Sequence, residues 1–377
     1  MTFGWRRTFL GATVTSLVCL LGLVSAAGQA PGQDAQMAEN VFKNVQVLKG
    51  IPADEFMDAM GMFSASLGYD CVSCHSPNIY NDRVNGFAET TPTIQRARQM
   101  VLMMNAMNRT YFAGEQRLTC FTCHRGQVTP ANIPSLALQY GEVPFDPNDI
   151  SIFPEDRTTV DQVWDTYMQA LGGAERVASL TSFVATGMYS GFNTGGGPVP
   201  VEIFARAPNQ RTQVVRMPEG EGIKTFDGMN AWAAEGWRPA PLLALTGGNR
   251  EGAELEALLG FPAQLRGAFS QWQVSSTLID DRPVQILQGF NEGELPVNLY
   301  FNEAGLLMRV MRWNRTSVGI VPTQFDLTDY RDVAGVQMPF HILVTWTDGQ
   351  NTYELKDVQP NVAIDASRFA RPAPFGR

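Results

Sequence analysis

The sequence predicts an α+β fold in two domains: an all-α N-terminal part, then a mostly antiparallel β-sheet, half-barrel-like, carrying a few helices. Three observations lead there. Apolar residues recur at helical spacing from Val41 to about Val128, a proline-rich aperiodic stretch follows, and beyond a helical stretch ending at Gly173 the hydrophobic period falls to two. The expected organisation is a signal segment over 1–26, a polar lead-in over 27–40, a helical domain over 41–132, a Pro-rich linker over 133–158 and a β domain with helices over 159–377.

The N-terminus reads as an export signal. "MTFGWRR" supplies positive charge, "TFLGATVTSLVCLLGLV" an apolar core and "VSAAGQA" small residues for a peptidase, with cleavage expected after Ala26. An uncleaved membrane anchor is the alternative, because the apolar stretch approaches spanning length. Cys19 follows Val18, where lipid attachment wants a small residue, so it is not read as a lipidation site. The expected location is periplasmic or otherwise extracytoplasmic.

In "IPADEFMDAMGMFSASLG" the residues Phe56, Met60, Phe63 and Leu67 share one helical face; Asp54 and Glu55 suit its first turn and Gly68 its stop. A second helix is expected from "TPTIQRARQM", with Thr91 as N-cap and Pro92 at its first position, running to Phe112 and stopping near Gly114. "VDQVWDTYMQALGG" predicts a helix with Val160, Val163, Trp164, Met168 and Leu171 inward. Hairpins are expected around Pro208-Asn209, around "NEAG" (302–305) and at Asp348-Gly349, with "IKTFDGMNAWAAEG" of the same kind. "ELEALLGFPAQLRGAFSQW" reads as helix broken near Pro262.

The chain of 377 residues has a net charge of −9 and a pI near 5.0, so a basic nucleic-acid surface is not indicated. It has five cysteines and three histidines, and two copies of one pentapeptide take most of them: Cys71-Val-Ser-Cys74-His75 and Cys120-Phe-Thr-Cys123-His124. Cys-X-X-Cys-His has a specific use. Two thiols form thioethers with haem vinyl groups while the adjacent histidine binds iron. The bland readings are a redox dithiol or a four-cysteine zinc site, both of which make the histidines coincidental. The expected cofactor is two covalently bound haem c groups, and the N-terminal part is read as a dihaem cytochrome c module.

Apart from His75 and His124 only His341 remains, and it reads as a satisfied strand histidine, so histidine cannot take both faces of both irons. The remaining axial ligands are expected to be methionine, whose sulfur favours Fe(II). Met60 lies on the apolar stripe eleven residues before Cys71. For the second iron, Met100, Met103, Met104 and Met107 compete, and spacing does not choose. Phe56, Phe63, Leu67, Leu102 and Phe121 are expected to exclude water, and Tyr69 and Arg125 to contact propionates or solvent.

"NVQVLKGIPADEFMDAMGMFSASLGYDCVSCH" and "RARQMVLMMNAMNRTYFAGEQRLTCFTCHRG" resemble the haem modules of the cytochrome c subunit of photosynthetic reaction centres, over about residues 40–130. The resemblance implies a ligand methionine on the helix ahead of each motif, at Met60 and at Met100. That family usually carries four haems and a lipid-anchoring cysteine, whereas this chain has two motifs, and nothing after about residue 150 resembles it.

The expected function is electron relay between redox partners, possible partners being a redox protein, a membrane electron-transfer complex or a reaction centre. A dihaem peroxidase is the alternative, and it requires an open iron position that the methionine supply argues against. The C-terminal half is faintly similar to periplasmic lipoprotein-carrier folds, which implies either a docking scaffold or a site for an acyl chain, a quinone or another apolar ligand.

Overall fold

The computed structural model describes residues 35–134 and 158–375, apart from 192, 196 and 237. The expectations for the signal segment, Cys19 and most of the linker lie outside these residues. The described residues all belong to one compact unit. Among the described residues no helix is long and apolar enough to cross a membrane.

The helical segment is built on two long helices, α1 (Ala53–Leu67) and α3 (Pro92–Tyr111), with one-turn helices α2 (Cys71–Cys74) and α4 (Cys120–His124) following each. Their ends follow local chemistry. Gly68 caps α1 in the left-handed region at φ 65°, where a side chain would be strained and would meet the Gly126 carbonyl. Thr91 caps α3 by accepting from the Ile94 amide at 3.2 Å, and Pro92 occupies the first position, where its missing N–H leaves no bond unmade.

The rest is a 13-stranded sheet in the order β6 (Leu243–Leu245), β5 (Ala231–Ala234), β4 (Gly220–Phe226), β3 (Gln210–Met217), β2 (Val199–Arg206), β1 (Ser182–Gly191), β13 (Gly349–Pro360), β12 (Val336–Trp346), β11 (Gly319–Val333), β10 (Leu307–Thr316), β9 (Val297–Phe301), β8 (Arg282–Phe290), β7 (Gln271–Ile279). It is an antiparallel meander whose two halves join where β1 (Ser182–Gly191) pairs with β13 (Gly349–Pro360). The expected hairpins are all present: β2 (Val199–Arg206) with β3 (Gln210–Met217), β9 (Val297–Phe301) with β10 (Leu307–Thr316), and β12 (Val336–Trp346) with β13. β4 (Gly220–Phe226) pairs with β5 (Ala231–Ala234) as its alternation suggested.

Helices α5 (Val160–Ala170), α6 (Ala174–Ser179) and α7 (Gly247–Leu259) cover one face of the sheet. The α5 stripe buries Val163 and Trp164 with Leu171, and Tyr167 joins them. The periodicity missed Tyr167 because its ring counts as polar. α7 is the helix expected ahead of Pro262, and it is clamped from within. Its Glu256 receives Lys224 Nζ at 2.6 Å and Arg211 Nη1 at 3.4 Å. Burial works to raise the Glu256 pKa, but the two cations outweigh it and hold the carboxylate ionised.

The helical segment docks on this sheet through α1. Ala59 and Met62 pack with Val101 and Met104 of α3 against Val318 and Val321 at the start of β11 (Gly319–Val333). Around that apolar contact, acids of α1 reach across. Asp54 accepts from the Thr246 amide at 2.6 Å, Asp58 from Asn249 Nδ2 at 2.7 Å and Asn314 Nδ2 at 2.8 Å, and Glu55 from the Ser317 amide at 2.8 Å. Gly61 permits the close approach, since a Cβ there would meet Thr347 Oγ1 at 2.6 Å.

Burial raises Asp58 from the ordinary aspartate value of 3.8 to about 6, offset in part by the Asn249 hydrogen bond and the Arg312 charge. The folded state thus holds this proton more tightly than the unfolded chain. Stability from this group is full below pH 4 and is lost as pH rises through 6. Asp58→Asn keeps an acceptor oxygen and removes the buried charge. It is expected to stabilise the protein by about 1–3 kcal/mol at pH 8 and to change little at pH 4. Thermal melts at the two pH values check this; equal shifts at both would mean that Asp58 does not titrate as described.

Candidate haem-binding site

The two pentapeptides adopt one local geometry. In the first, Asp70 caps α2 by accepting from the Ser73 amide at 2.9 Å, and His75 follows as the C-cap. In the second, Thr119 and Thr122 form a reciprocal capping box, and His124 ends α4. A single helical turn sets both cysteines of each motif three residues apart on one side, with the imidazole directly after them. All four described cysteines are free thiols.

The histidines carry the decisive detail. His75 Nδ1 lies 3.1 Å from the Phe87 carbonyl oxygen, and His124 Nδ1 lies 3.0 Å from the Gln127 carbonyl oxygen. A carbonyl only accepts, so Nδ1 carries a proton in both, and in the neutral ring Nε2 is then the nitrogen with the free lone pair. That is the tautomer and orientation an iron-binding imidazole needs. Burial lowers the His75 pKa and keeps the ring neutral, with the Phe87 contact opposing weakly. Burial also pushes the Cys120 thiol up to about 11 and raises Cys71 and Cys74. His341, in contrast, pairs with Thr328 Oγ1 on a neighbouring strand, as a satisfied strand histidine should.

The first motif opens on a cavity of about 860 Å³. Cys71, Cys74, His75 and Met60 all line it, as do Phe56, Phe63 and Leu67 of the predicted stripe, and Tyr69. This stripe is only half-buried, because it faces the cavity. The face of α1 that packs against protein is instead Ala59, Met62 and Ser66. Thr91 ties the motif to α3 by donating to the Cys74 carbonyl at 2.6 Å.

The second motif sits at the surface. Asn108 of α3, buried and unremarked in the sequence, donates to the Leu118 carbonyl at 2.8 Å and accepts from its amide at 2.9 Å, fixing the segment before Cys120. Gly126 donates to the Ser66 carbonyl at 2.9 Å, so this motif also hangs on α1. Of the four competing methionines, Met104 is buried in the contact with the sheet, whereas Met100, Met103 and Met107 form an exposed stripe. Leu102 and Phe121, expected to exclude water, are exposed as well, at 59% and 48%. Arg125 is exposed at the C-cap, in the left-handed region.

The donor set fits haem c better than its competitors. Among the described residues no three Cys, His, Asp or Glu side chains converge as a metal-binding group, so the cysteine pairs do not combine into a zinc site. The first cavity offers thiols, a free imidazole nitrogen and a thioether on one void walled by aromatic and aliphatic side chains.

Residues 16–141 match the family described as the photosynthetic reaction centre cytochrome C subunit. The chain is similar to the photosynthetic reaction center cytochrome c subunit of Thermochromatium tepidum, with 29% identity over 134 residues, or 29% of this chain. The similarity spans 32% of that relative's length. Among solved structures, the chain is similar to a LolA superfamily protein from Nitrosomonas europaea, with 12% identity over 54% of this chain and 97% of the other, at a TM-score of 0.37. It is also similar to a DUF1329 family protein from Desulfovibrio piger, with 9% identity over 56% and 97% of the two chains, at a TM-score of 0.38. Neither similarity bears on what the sheet binds.

Each motif is expected to attach its own haem. The intact mass of the mature protein should exceed that of its polypeptide by two haem groups. The double substitution Cys71→Ala and Cys74→Ala should remove one of them and leave the other.

Proposed function

We propose that the chain is an exported dihaem c-type cytochrome that relays electrons between redox partners, with Met60 and His75 holding one iron and Met100 and His124 the other. The observation that carries this reading is the paired tautomer lock, in which each motif histidine gives its Nδ1 proton to a backbone carbonyl and keeps Nε2 free. The similarity of residues 16–141 to a cytochrome c family supports it.

Haem c, when bound, supplies a one-electron Fe(III)/Fe(II) couple. The chain's own residues do the rest. Cys71 and Cys74, and likewise Cys120 and Cys123, fix the ring covalently, so that ligand exchange does not release it. The two carbonyls hold each imidazole against rotation, which keeps reorganisation small. Phe56, Phe63 and Leu67 wall the first site against water and thereby favour the less charged ferrous state. For the second site we propose that Met100, on the exposed stripe with Met103 and Met107, would supply the sulfur ligand.

Electron carriers meet partners at exposed edges, and the second motif supplies one. Lys/Arg and Asp/Glu nearly balance over residues 41–131, so steering toward a partner should be modest and weakened by salt. The partner is proposed to be a redox protein or a membrane electron-transfer complex such as a reaction centre. The sheet serves as the rigid base on which the helical segment is mounted.

The test uses spectra of the purified holoprotein. Met60→Leu should convert one low-spin centre to high spin and lower its reduction potential, leaving the other unchanged; Met100→Leu should do the same to the second. If both spectra stay unaltered, methionine at these positions is not the sixth ligand. A protein whose two irons both take nitrogen on each face would contradict the assignment.

A further inference from the structure

The two motif histidines are locked by acceptors of different origin. His124 takes the Gln127 carbonyl three residues on, and Arg125 and Gly126 close the turn between them in the left-handed region, at φ 49° and 80°. That lock closes within one turn of chain. His75 instead takes the Phe87 carbonyl, twelve residues on, and the Phe87 ring also meets the imidazole edge to face at 4.9 Å. A remote acceptor holds a tautomer only as firmly as its own segment is held, because every unfixed residue adds conformational freedom that the hydrogen bond must overcome.

Contacts from other parts of the chain bracket that segment. Ahead of Phe87, Arg83 donates from Nη1 to the Gly236 carbonyl in the turn after β5. Behind it, Asn44 Nδ2 meets two acceptors, the Ala88 carbonyl at 2.7 Å and Thr90 Oγ1 at 2.9 Å. Asn44 is itself held, since Arg98 Nη2 of α3 donates to its carbonyl at 2.8 Å, and its neighbour Lys43 donates from Nζ to Asn85 Oδ1 at 2.8 Å. Asn44 is exposed, where an amide would ordinarily bond to water, and its backbone is left-handed at φ 60°. Asparagine tolerates that region better than most residues. One exposed side chain thus joins the start of the helical segment, α3 and the strand of chain that carries the His75 acceptor.

We propose that Asn44 is a positioning residue for the first haem: it holds residues 88–90 so that the Phe87 carbonyl stays on His75 Nδ1, and it thereby sets the reduction potential of that iron and not of the second. The inference rests on the dihaem reading above. A carbonyl that accepts from Nδ1–H gives the imidazole part of the character of an imidazolate, which makes Nε2 the stronger donor and favours Fe(III). Loosening the acceptor withdraws that donation and raises the potential. Arg83 acts on the same carbonyl from the other side.

The test is Asn44→Gly in the haem-loaded protein, since glycine keeps the left-handed backbone open and removes only the amide. Redox titration should show the first couple shifted upward and the second in place. The double substitution Cys71→Ala and Cys74→Ala identifies the first couple by its loss. In the reduced protein, NMR should show the His75 Nδ1 proton exchanging with solvent up to about tenfold faster, the factor that accompanies loss of one ordinary hydrogen bond, with the His124 proton at its native rate. Arg83→Gln, on the other flank, should move both quantities in the same direction, and it decides the matter if Asn44→Gly does not fold. Native potential and exchange in a folded variant overturn the proposal, as does an equal shift of both couples, which marks general loosening. The two readings fail separately: missing haem bands would defeat the relay, whereas haem-loaded variants with native potentials would defeat only the role of Asn44.

Discussion

Everything in this molecule depends on α1 serving two faces at once. One face presents Met60 with Phe56, Phe63 and Leu67 to the cavity, and the other carries Ala59, Met62, Asp54 and Asp58 into the sheet. Burying carboxylates is unfavourable unless their lone pairs are met, and here Thr246, Asn249 and Asn314 meet them. Apolar packing alone would leave the helix free to slide or rotate by a fraction of a turn. The carboxylate contacts are directional, so they fix its register, and with it the position of the Met60 sulfur relative to His75. Rigidity at the first site is thus supplied by residues outside the helical segment.

The parts of this design that rest on local chemistry were legible in the sequence. The two pentapeptides, the Thr91-Pro92 start of α3, the Gly68 stop of α1 and the hairpins at Asp348-Gly349 and "NEAG" follow from short-range rules about caps, turns and period. The resemblance to reaction-centre cytochrome subunits was carried by the same local stretches, and the matching family spans them. The anchoring contacts were not legible. Asp54 reads as an ordinary first-turn acid, and nothing near it in sequence announces Thr246, which lies 192 residues away. Asn108 is likewise an unremarkable polar residue until the chain folds back at Leu118.

An apolar stripe at helical spacing normally marks the face toward a packed core, but on α1 the stripe lines a cavity, and Ala59, Met62 and Ser66 make the buried contact. Periodicity reports which face avoids water, not whether protein or a bound group covers it. Arg312 offered the opposite signal. It shares a strand face with Val310, which is fully buried, so a charged residue falls where the period-two pattern calls for an apolar one. Such breaks in a period-two pattern are expected where a fold keeps a polar site inside.

The two copies of the pentapeptide are therefore alike in chemistry and unlike in setting. The first lies among α1, α3 and the sheet, on the cavity that Met60 also lines; the second lies nearer the surface, with Cys120 against the Val101 and Met104 side of α3. A site walled from water disfavours a charged ferric state and an exposed one does not, so on the proposed ligation the two irons would differ in potential. The sheltered site is poorly placed to touch a protein partner, and the exposed site is well placed to do so. The second motif hangs on α1 through the Gly126–Ser66 hydrogen bond. If both motifs carry haem as proposed, the one on the interior cavity and the one near the surface would play different parts in the relay without any difference in the motif itself.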